Sequence, residues 1–172
     1  MKSPNIKMNA VLICVLIISA VAIFPFINVI NFCCGGMLLG GFFSVNYYYK
    51  HSAKENRQVN VKDVFMITLL GGILSAIIVS GISLMTMFIN SENQITLMKN
   101  ELGEFIKSLP QEFTKILDEL SSEFDKFGFS PTLAVTSLIV NLIMYPAFAF
   151  AGGLISYGLN NRKRNQTGNS HI

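Results

Sequence analysis

Long apolar stretches alternate with short polar segments along this chain. No Lys, Arg, Asp or Glu occurs from Met8 to Tyr49, from Val64 to Ile89 or from Thr132 to Leu159. Because a membrane-spanning helix needs about 20 apolar residues, the first stretch can cross twice and each of the others once. The pattern predicts an all-α, polytopic membrane protein with four transmembrane helices, at about residues 9–27, 31–49, 64–89 and 132–159.

The polar segment between the third and fourth predicted spans, residues 90–131, has a periodic pattern of its own. Apolar residues recur at spacings of three and four from Ile95 to Leu109, and again from Phe113 to Phe127. Such spacing puts apolar side chains on one face of a helix. The segment is therefore predicted to form an amphipathic helical pair, which covers the spans, lies on the membrane surface or meets another subunit.

Capping and interfacial residues indicate where the helices begin and end. Asn60, with Asp63 three positions later, suits the start of the third helix, and Ser130 followed by Pro131 suits the start of the fourth. Three tyrosines at positions 47–49 precede Lys50. They resemble an interfacial belt, whose rings would lie at headgroup depth.

Composition and charge support the membrane prediction and orient it. The chain is 51% hydrophobic and 13% charged, and its polar segments are too short for a core of their own, so a single membrane domain over residues 1–172 is expected. Residues 90–131 hold eight acidic residues against four lysines, whereas the other polar segments are basic. The positive-inside rule then puts both termini, including the tail 160–172, in the cytoplasm and the acidic segment outside. The basic residues concerned are Lys2, Lys7, Lys50, Lys54, Arg57, Lys62, Arg162, Lys163 and Arg164.

The first apolar stretch has an alternative interpretation. Lys2 and Lys7 precede an apolar run that contains Ala20-Val21-Ala22, which is also the arrangement of a secretory signal with a small-residue cleavage site. Cleavage there would leave a three-span protein. Apolar sequence continues past that site, and an even number of spans fits the charge distribution better.

Small residues recur at four-residue spacing within the predicted spans. Close backbone approach through such positions is a principal means of helix association in lipid, because lipid removes the hydrophobic drive between helices. They are predicted to pack helices within the chain or its homo-oligomer, the alternative being a lined cavity. The positions are Gly36, Gly40, Gly72, Ala76, Gly152 and Gly153.

Candidate chemistry is sparse. Cys33 and Cys34 are a candidate redox pair, or a site of lipidation, but a role as small apolar packing residues explains them better. Asn46 and Asn141 are candidates for a polar cavity. The only histidines, His51 and His171, are predicted on the opposite side from this cysteine pair, so no metal site, cofactor or catalytic set is expected. The sequence therefore predicts no enzyme.

The order of these motifs resembles a class of small bacterial four-span membrane proteins of unknown function. The stretches that carry the resemblance are "NFCCGGMLLGGFFSVNYYYK", "VNVKDVFMITLLGGILSAII" and "YPAFAFAGGLISYGLNNRKR". The resemblance implies a bacterial inner membrane and this architecture, but no activity. We expect a non-enzymatic protein with a structural, assembly or partner-binding role, in contact with membrane lipids and with a second copy or another membrane protein, but not with nucleic acid. The alternative is a small oligomeric channel or carrier for uncharged or lipid-like solutes.

Overall fold

A computed structural model of the chain describes residues 6–23, 35–55, 57–89, 103 and 110–168, with the backbone alone for residues 163–168. Within this part of the chain the protein is all-α and forms five helices. These are α1 (Ile6–Ile23), α2 (Gly35–Lys54), α3 (Val61–Ile89), α4 (Gln111–Phe127) and α5 (Pro131–Gly168). The predicted fold class is confirmed at this level.

Three of the helices are long and apolar enough to cross a membrane, namely α1, α3 and α5 up to Arg162. These three match the first, third and fourth predicted spans, and they indicate a multi-pass membrane protein. Helix α2, which covers most of the second predicted span, is not among them. Its glycines, serines, asparagine and tyrosines lower its hydropathy, so four spans stay a prediction.

The start of α5 confirms the Ser130 cap, and α3 begins directly after Asn60, as predicted. The Asn60 carbonyl accepts the first helical hydrogen bonds, from the backbone N–H groups of Asp63 (2.9 Å) and Val64 (3.3 Å). At the start of α5 the Ser130 hydroxyl accepts the Leu133 N–H at 3.2 Å. Proline follows Ser130 at the first helical position, where its missing N–H costs nothing. Helix α5 continues to Gly168, beyond the predicted end of the span at residue 159.

The second amphipathic helix of the 90–131 segment is confirmed as α4. It begins after Pro110 and ends at Gly128, whose φ of 74° lies in the left-handed region. The Gly128 N–H donates to the Phe124 carbonyl at 2.8 Å, which is a common way to close a helix. The predicted partner helix over residues 95–109 lies outside the described residues except for Gly103, and so does the predicted turn between the first two spans.

The chain forms two compact units. The first comprises Met1–Val79 and Asn141–Ile172, and the second comprises Ser80–Val140. The first unit therefore contains α1, α2 and the greater parts of α3 and α5. Within the second unit the rings of Phe88 and Phe129 lie 4.7 Å apart between centroids.

Helix α3 buries several small residues in the first unit, together with Val64, Ile67 and Val79, and exposes a row of large apolar ones. Gly71, Gly72, Ser75 and Ala76 are buried. Small residues are enriched between membrane helices because they let the backbones approach closely. Large apolar side chains can face the lipid, which is as apolar as they are. The exposed large residues of α3 in this unit are Val61, Phe65, Met66, Leu70, Leu74, Ile77 and Ile78.

Candidate functional site

Helices α2 and α5 approach each other at main-chain distance. A side chain added at Gly41 would overlap the backbone of Ala149, and one added at Gly152 would overlap the Leu38 carbonyl. In both places the obstacle is main chain, which cannot rotate away as a side chain can. The two helices therefore meet through glycine on both sides.

Two glycines of α3 also lie in close contact with neighbouring helices, Gly72 with the backbone of α5 and Gly71 with a side chain of α1. A Cβ at Gly72 would lie 2.5 Å from the Pro146 Cα, and one at Gly71 would lie 2.7 Å from the Cys14 Cβ. Gly40 of α2 faces Ile18 of α1. Small residues therefore let α1, α2, α3 and α5 pack closely in the bundle interior.

The remaining predicted packing residues also lie in the bundle interior. Gly153 faces Thr68, Val45 and Val64. Gly36 and Ala76 are buried.

Two contact glycines, Gly41 and Gly71, were not among the predicted packing residues. Each belongs to a glycine doublet, and this signal in the sequence could have identified it. By contrast, Gly81 and Gly158 have nothing within 4 Å of an added Cβ. A glycine in an apolar helix of this chain is therefore not by itself a sign of helix contact.

A polar cluster joins three helix ends in the first unit. Lys7 Nζ of α1 donates to Asp63 Oδ1 of α3 at 2.6 Å, and the Tyr48 hydroxyl of α2 donates to Asp63 Oδ2 at 3.3 Å. The backbone N–H of Asn60 donates to the same oxygen at 3.4 Å. We call these four residues the Asp63 cluster. It joins chain segments that are distant in sequence, since all of α2 lies between Lys7 and Asp63.

A second set of polar contacts links α2 to α5. Asn160 Nδ2 donates to Asn46 Oδ1 at 3.4 Å and to the Ser156 carbonyl at 2.8 Å. The Tyr49 hydroxyl donates to Asn161 Oδ1 at 3.4 Å.

These contacts show how two of the tyrosines are held. Tyr48 and Tyr49 are buried between helices, and the headgroup depth of their rings stays a prediction. Their rings fill the core while their hydroxyls reach polar side chains at the helix ends. An amphipathic ring with a polar tip can satisfy both surroundings at once.

The two asparagines predicted for a polar cavity are not brought together. Asn46 bonds to Asn160, whereas Asn141 lies on the N-terminal half of the same helix α5. At a helical rise of 1.5 Å per residue, Asn141 and Asn160 are roughly 28 Å apart. Asn141 is half-buried and has an interaction partner of its own.

The cysteines divide between the described and undescribed residues. Cys14 is a buried, free thiol in α1, packed against Gly71. Cys33 and Cys34 lie outside the described residues, so the redox prediction is not addressed by the structure. In the part of the chain that is described, no three His, Cys, Asp or Glu side chains could hold a metal ion.

A groove of about 450 Å³ opens on the outside of the first unit. It is lined by Val61, Lys62, Phe65 and Met66 of α3 and by Phe150 of α5. The rings of Phe65 and Phe150 meet edge to face with centroids 5.4 Å apart. We call this the Phe65 groove. Of the described residues that line it, the lysine alone is charged, and the walls are apolar.

Glu123 joins α4 to the start of α5 within the second unit. Its Oε2 accepts the Ser130 hydroxyl at 2.6 Å and the Thr132 N–H at 3.1 Å, and its Oε1 accepts the Thr132 hydroxyl at 2.6 Å. These hydrogen bonds, that from Ser130 first, hold the pKa of the Glu123 carboxyl below its usual range. The carboxylate also lies at a helix N-terminus, where negative charge is favoured.

Comparison with known proteins gives no further assignment: no family model, no curated protein and no solved structure matches this chain. The functional interpretation therefore depends on the geometry above.

Proposed function

We propose that this chain is a non-enzymatic, four-span protein of the bacterial inner membrane, and that it binds another membrane protein or a second copy through α4. Both termini would be cytoplasmic and α4 external. The basic residues at the chain ends and between α2 and α3 support this orientation, since positive residues are retained in the cytoplasm. The resemblance to small bacterial four-span proteins supports the same location.

The observation that carries the proposal is the apolar surface of α4. Phe113, Ile116 and Phe127 are 56, 51 and 61% exposed, whereas Phe124 of the same stripe is buried. Large apolar residues that stay exposed along one face of a helix outside the membrane are typical of an interaction surface. Helix α4 has five acidic residues and two lysines, so an anionic lipid surface is a less favourable partner than a protein.

The glycine contacts support α4, rather than the bundle, as the binding element. Six glycines of α2, α3 and α5 already face other helices of the same chain. They are therefore not available to a second copy without rearrangement. Partner binding through the glycine-rich spans has less support than binding through α4.

Photo-crosslinking in membranes tests this proposal. A photoreactive residue at Phe113 should give a discrete adduct, whereas the same residue at Lys115, about 200° around the helix, should not. Phe113→Glu should abolish capture by a probe at Ile116. Absence of an adduct from Phe113, or equal adducts from both positions, would contradict the proposal.

The alternative, an oligomeric channel or carrier for uncharged or lipid-like solutes, has weaker support. A polar path built on Asn46 and Asn141 would need both to line one space, but Asn46 bonds to Asn160 at the far end of α5. At Gly41 and Gly152 the backbones of α2 and α5 are too close to leave space for a solute between them. This alternative would be favoured if the protein transported a solute in reconstituted vesicles and if Phe113→Glu, which abolishes crosslinking through α4, left that transport unchanged.

A further inference from the structure

We propose that the Phe65 groove is a binding site for an anionic phospholipid, with an acyl chain against Phe65, Met66 and Phe150 and the phosphate at Lys62. This inference depends on the membrane location of α3 and α5 and on the proposed cytoplasmic side of Lys62. It does not depend on partner binding by α4, which belongs to the other compact unit.

The shape and lining of the groove suit an acyl chain. Its volume of about 450 Å³ falls within the range of ligand sites, about 300–1,000 Å³. Three of the five residues that line it are two phenylalanines and a methionine, and methionine adapts easily to flexible apolar ligands. On the outer face of a membrane helix, the apolar ligand that reaches such a groove is lipid.

The charge at the groove selects the headgroup. Lys62 is exposed on the first turn of α3, and its side chain is one of the five that line the groove. The neighbouring carboxylate of Asp63 is paired with Lys7 at 2.6 Å, which limits its repulsion of an anion. A helix N-terminus also favours negative charge. Basic pockets between membrane helices on the cytoplasmic side are typical sites for anionic headgroups.

The sequence allows a clean fluorescence test, because the chain contains no tryptophan. Met66→Trp places a reporter in the groove, and Ile77→Trp is its matched control. Both side chains are 52% exposed, and Ile77 lies about three turns further along α3, on nearly the same face and roughly 16 Å deeper. Each purified variant is reconstituted in vesicles containing brominated phosphatidylglycerol or brominated phosphatidylcholine. Quenching of the tryptophan fluorescence by each lipid gives the ratio of phosphatidylglycerol to phosphatidylcholine association at that position.

We expect the groove reporter to favour phosphatidylglycerol about fivefold, the contribution of one basic residue to anionic lipid binding. The control reporter should show a ratio near one. Lys62→Gln should bring the groove ratio to one, whereas Lys54→Gln, which removes a basic residue outside the groove, should leave it unchanged. Equal ratios at both reporters, or equal effects of the two lysine substitutions, would overturn the proposal in favour of a diffuse surface charge.

Discussion

Gly41 and Gly152 lie where two helix backbones come too close for any side chain. Gly41→Ala and Gly152→Ala should each destabilise the bundle by about 1–3 kcal/mol, the usual cost of overpacking, because the added methyl meets main chain rather than a movable side chain. Reversible unfolding in mixed detergent micelles measures this difference.

Two other glycines provide matched controls. Gly81 and Gly158 have open space around an added Cβ, and alanine is the better helix former by about 0.8–1 kcal/mol. Gly81→Ala and Gly158→Ala should therefore be neutral or stabilising. Destabilisation of all four variants to the same extent would show that backbone contact is not the cause.

At the residue scale, spacing predicted some of the glycines that pack between helices but not what they pack against. Four-residue spacing alone marked Gly40, Gly72 and Gly152. It could not mark Gly41 as the contact of Ala149, because that contact depends on the rotation of two helices about their axes. The burial of Tyr48 was not predicted for a related reason. A tyrosine can be buried when its hydroxyl has a polar partner, and the sequence does not show that this partner is Asp63 of another helix.

At the element scale, the start of α5 depends on a carboxylate from α4. The folded-state pKa of Glu123 is lowered by the Ser130 and Thr132 hydrogen bonds. A carboxyl whose pKa is lowered by folding stabilises the fold above its ordinary pKa, about 4.3, and loses that contribution as pH falls through the lowered value. The contact of Glu123 with Ser130 and Thr132 should therefore weaken in acid.

Hydrogen exchange of the Thr132 and Leu133 amides, corrected for intrinsic rates, measures this effect. Protection should fall below pH of about 4, and Glu123→Gln should show reduced protection at neutral pH with little further loss in acid. Glu119→Gln on the same helix should behave as wild type. An unchanged pH profile in Glu123→Gln would exclude the carboxylate as the cause.

The contact between Lys7 and Asp63 ties α1 to α3. The Lys7 side chain is 46% exposed, so solvent screens the pair, and such partly exposed pairs contribute about 0.2–1 kcal/mol. A double-mutant cycle with Lys7→Gln and Asp63→Asn should give a coupling energy in this range. A second cycle with Lys62→Gln in place of Lys7→Gln is the control, and it should show weaker coupling because Lys62 lines the groove. Equal coupling in the two cycles would count against a specific contact.

Helix existence followed from sequence more readily than helix pairing. Uncharged stretches predicted α1, α3 and α5, and three- and four-residue spacing predicted α4. The Asp63 cluster was not predicted, because Lys7 and Asp63 are far apart in the chain and each had a sufficient local explanation. One was explained as a cytoplasmic charge and the other as a helix-terminal carboxylate.

At the scale of the whole molecule, the four-span topology requires that α2 crosses the membrane. Its own hydropathy does not show this, yet it packs against α1 through Gly40 and Ile18 and against α5 through Gly41 and Ala149. We expect a helix held between two spanning helices to lie at their depth in the bilayer. Its small and polar residues would then face protein, and its low hydropathy would be a consequence of burial rather than of a surface location.

Cysteine labelling in intact cells tests the crossing of α2. In a background with Cys14, Cys33 and Cys34 replaced, Gln58→Cys samples the loop after α2 and Lys115→Cys samples α4. Four spans with cytoplasmic termini predict that a membrane-impermeant maleimide labels Lys115→Cys at once and Gln58→Cys only after lysis. If α2 did not cross, the loop would remain on the outer side after α1, and Gln58→Cys would react in intact cells. That result would remove the charge argument for cytoplasmic Lys62, and with it the proposed orientation of the bundle.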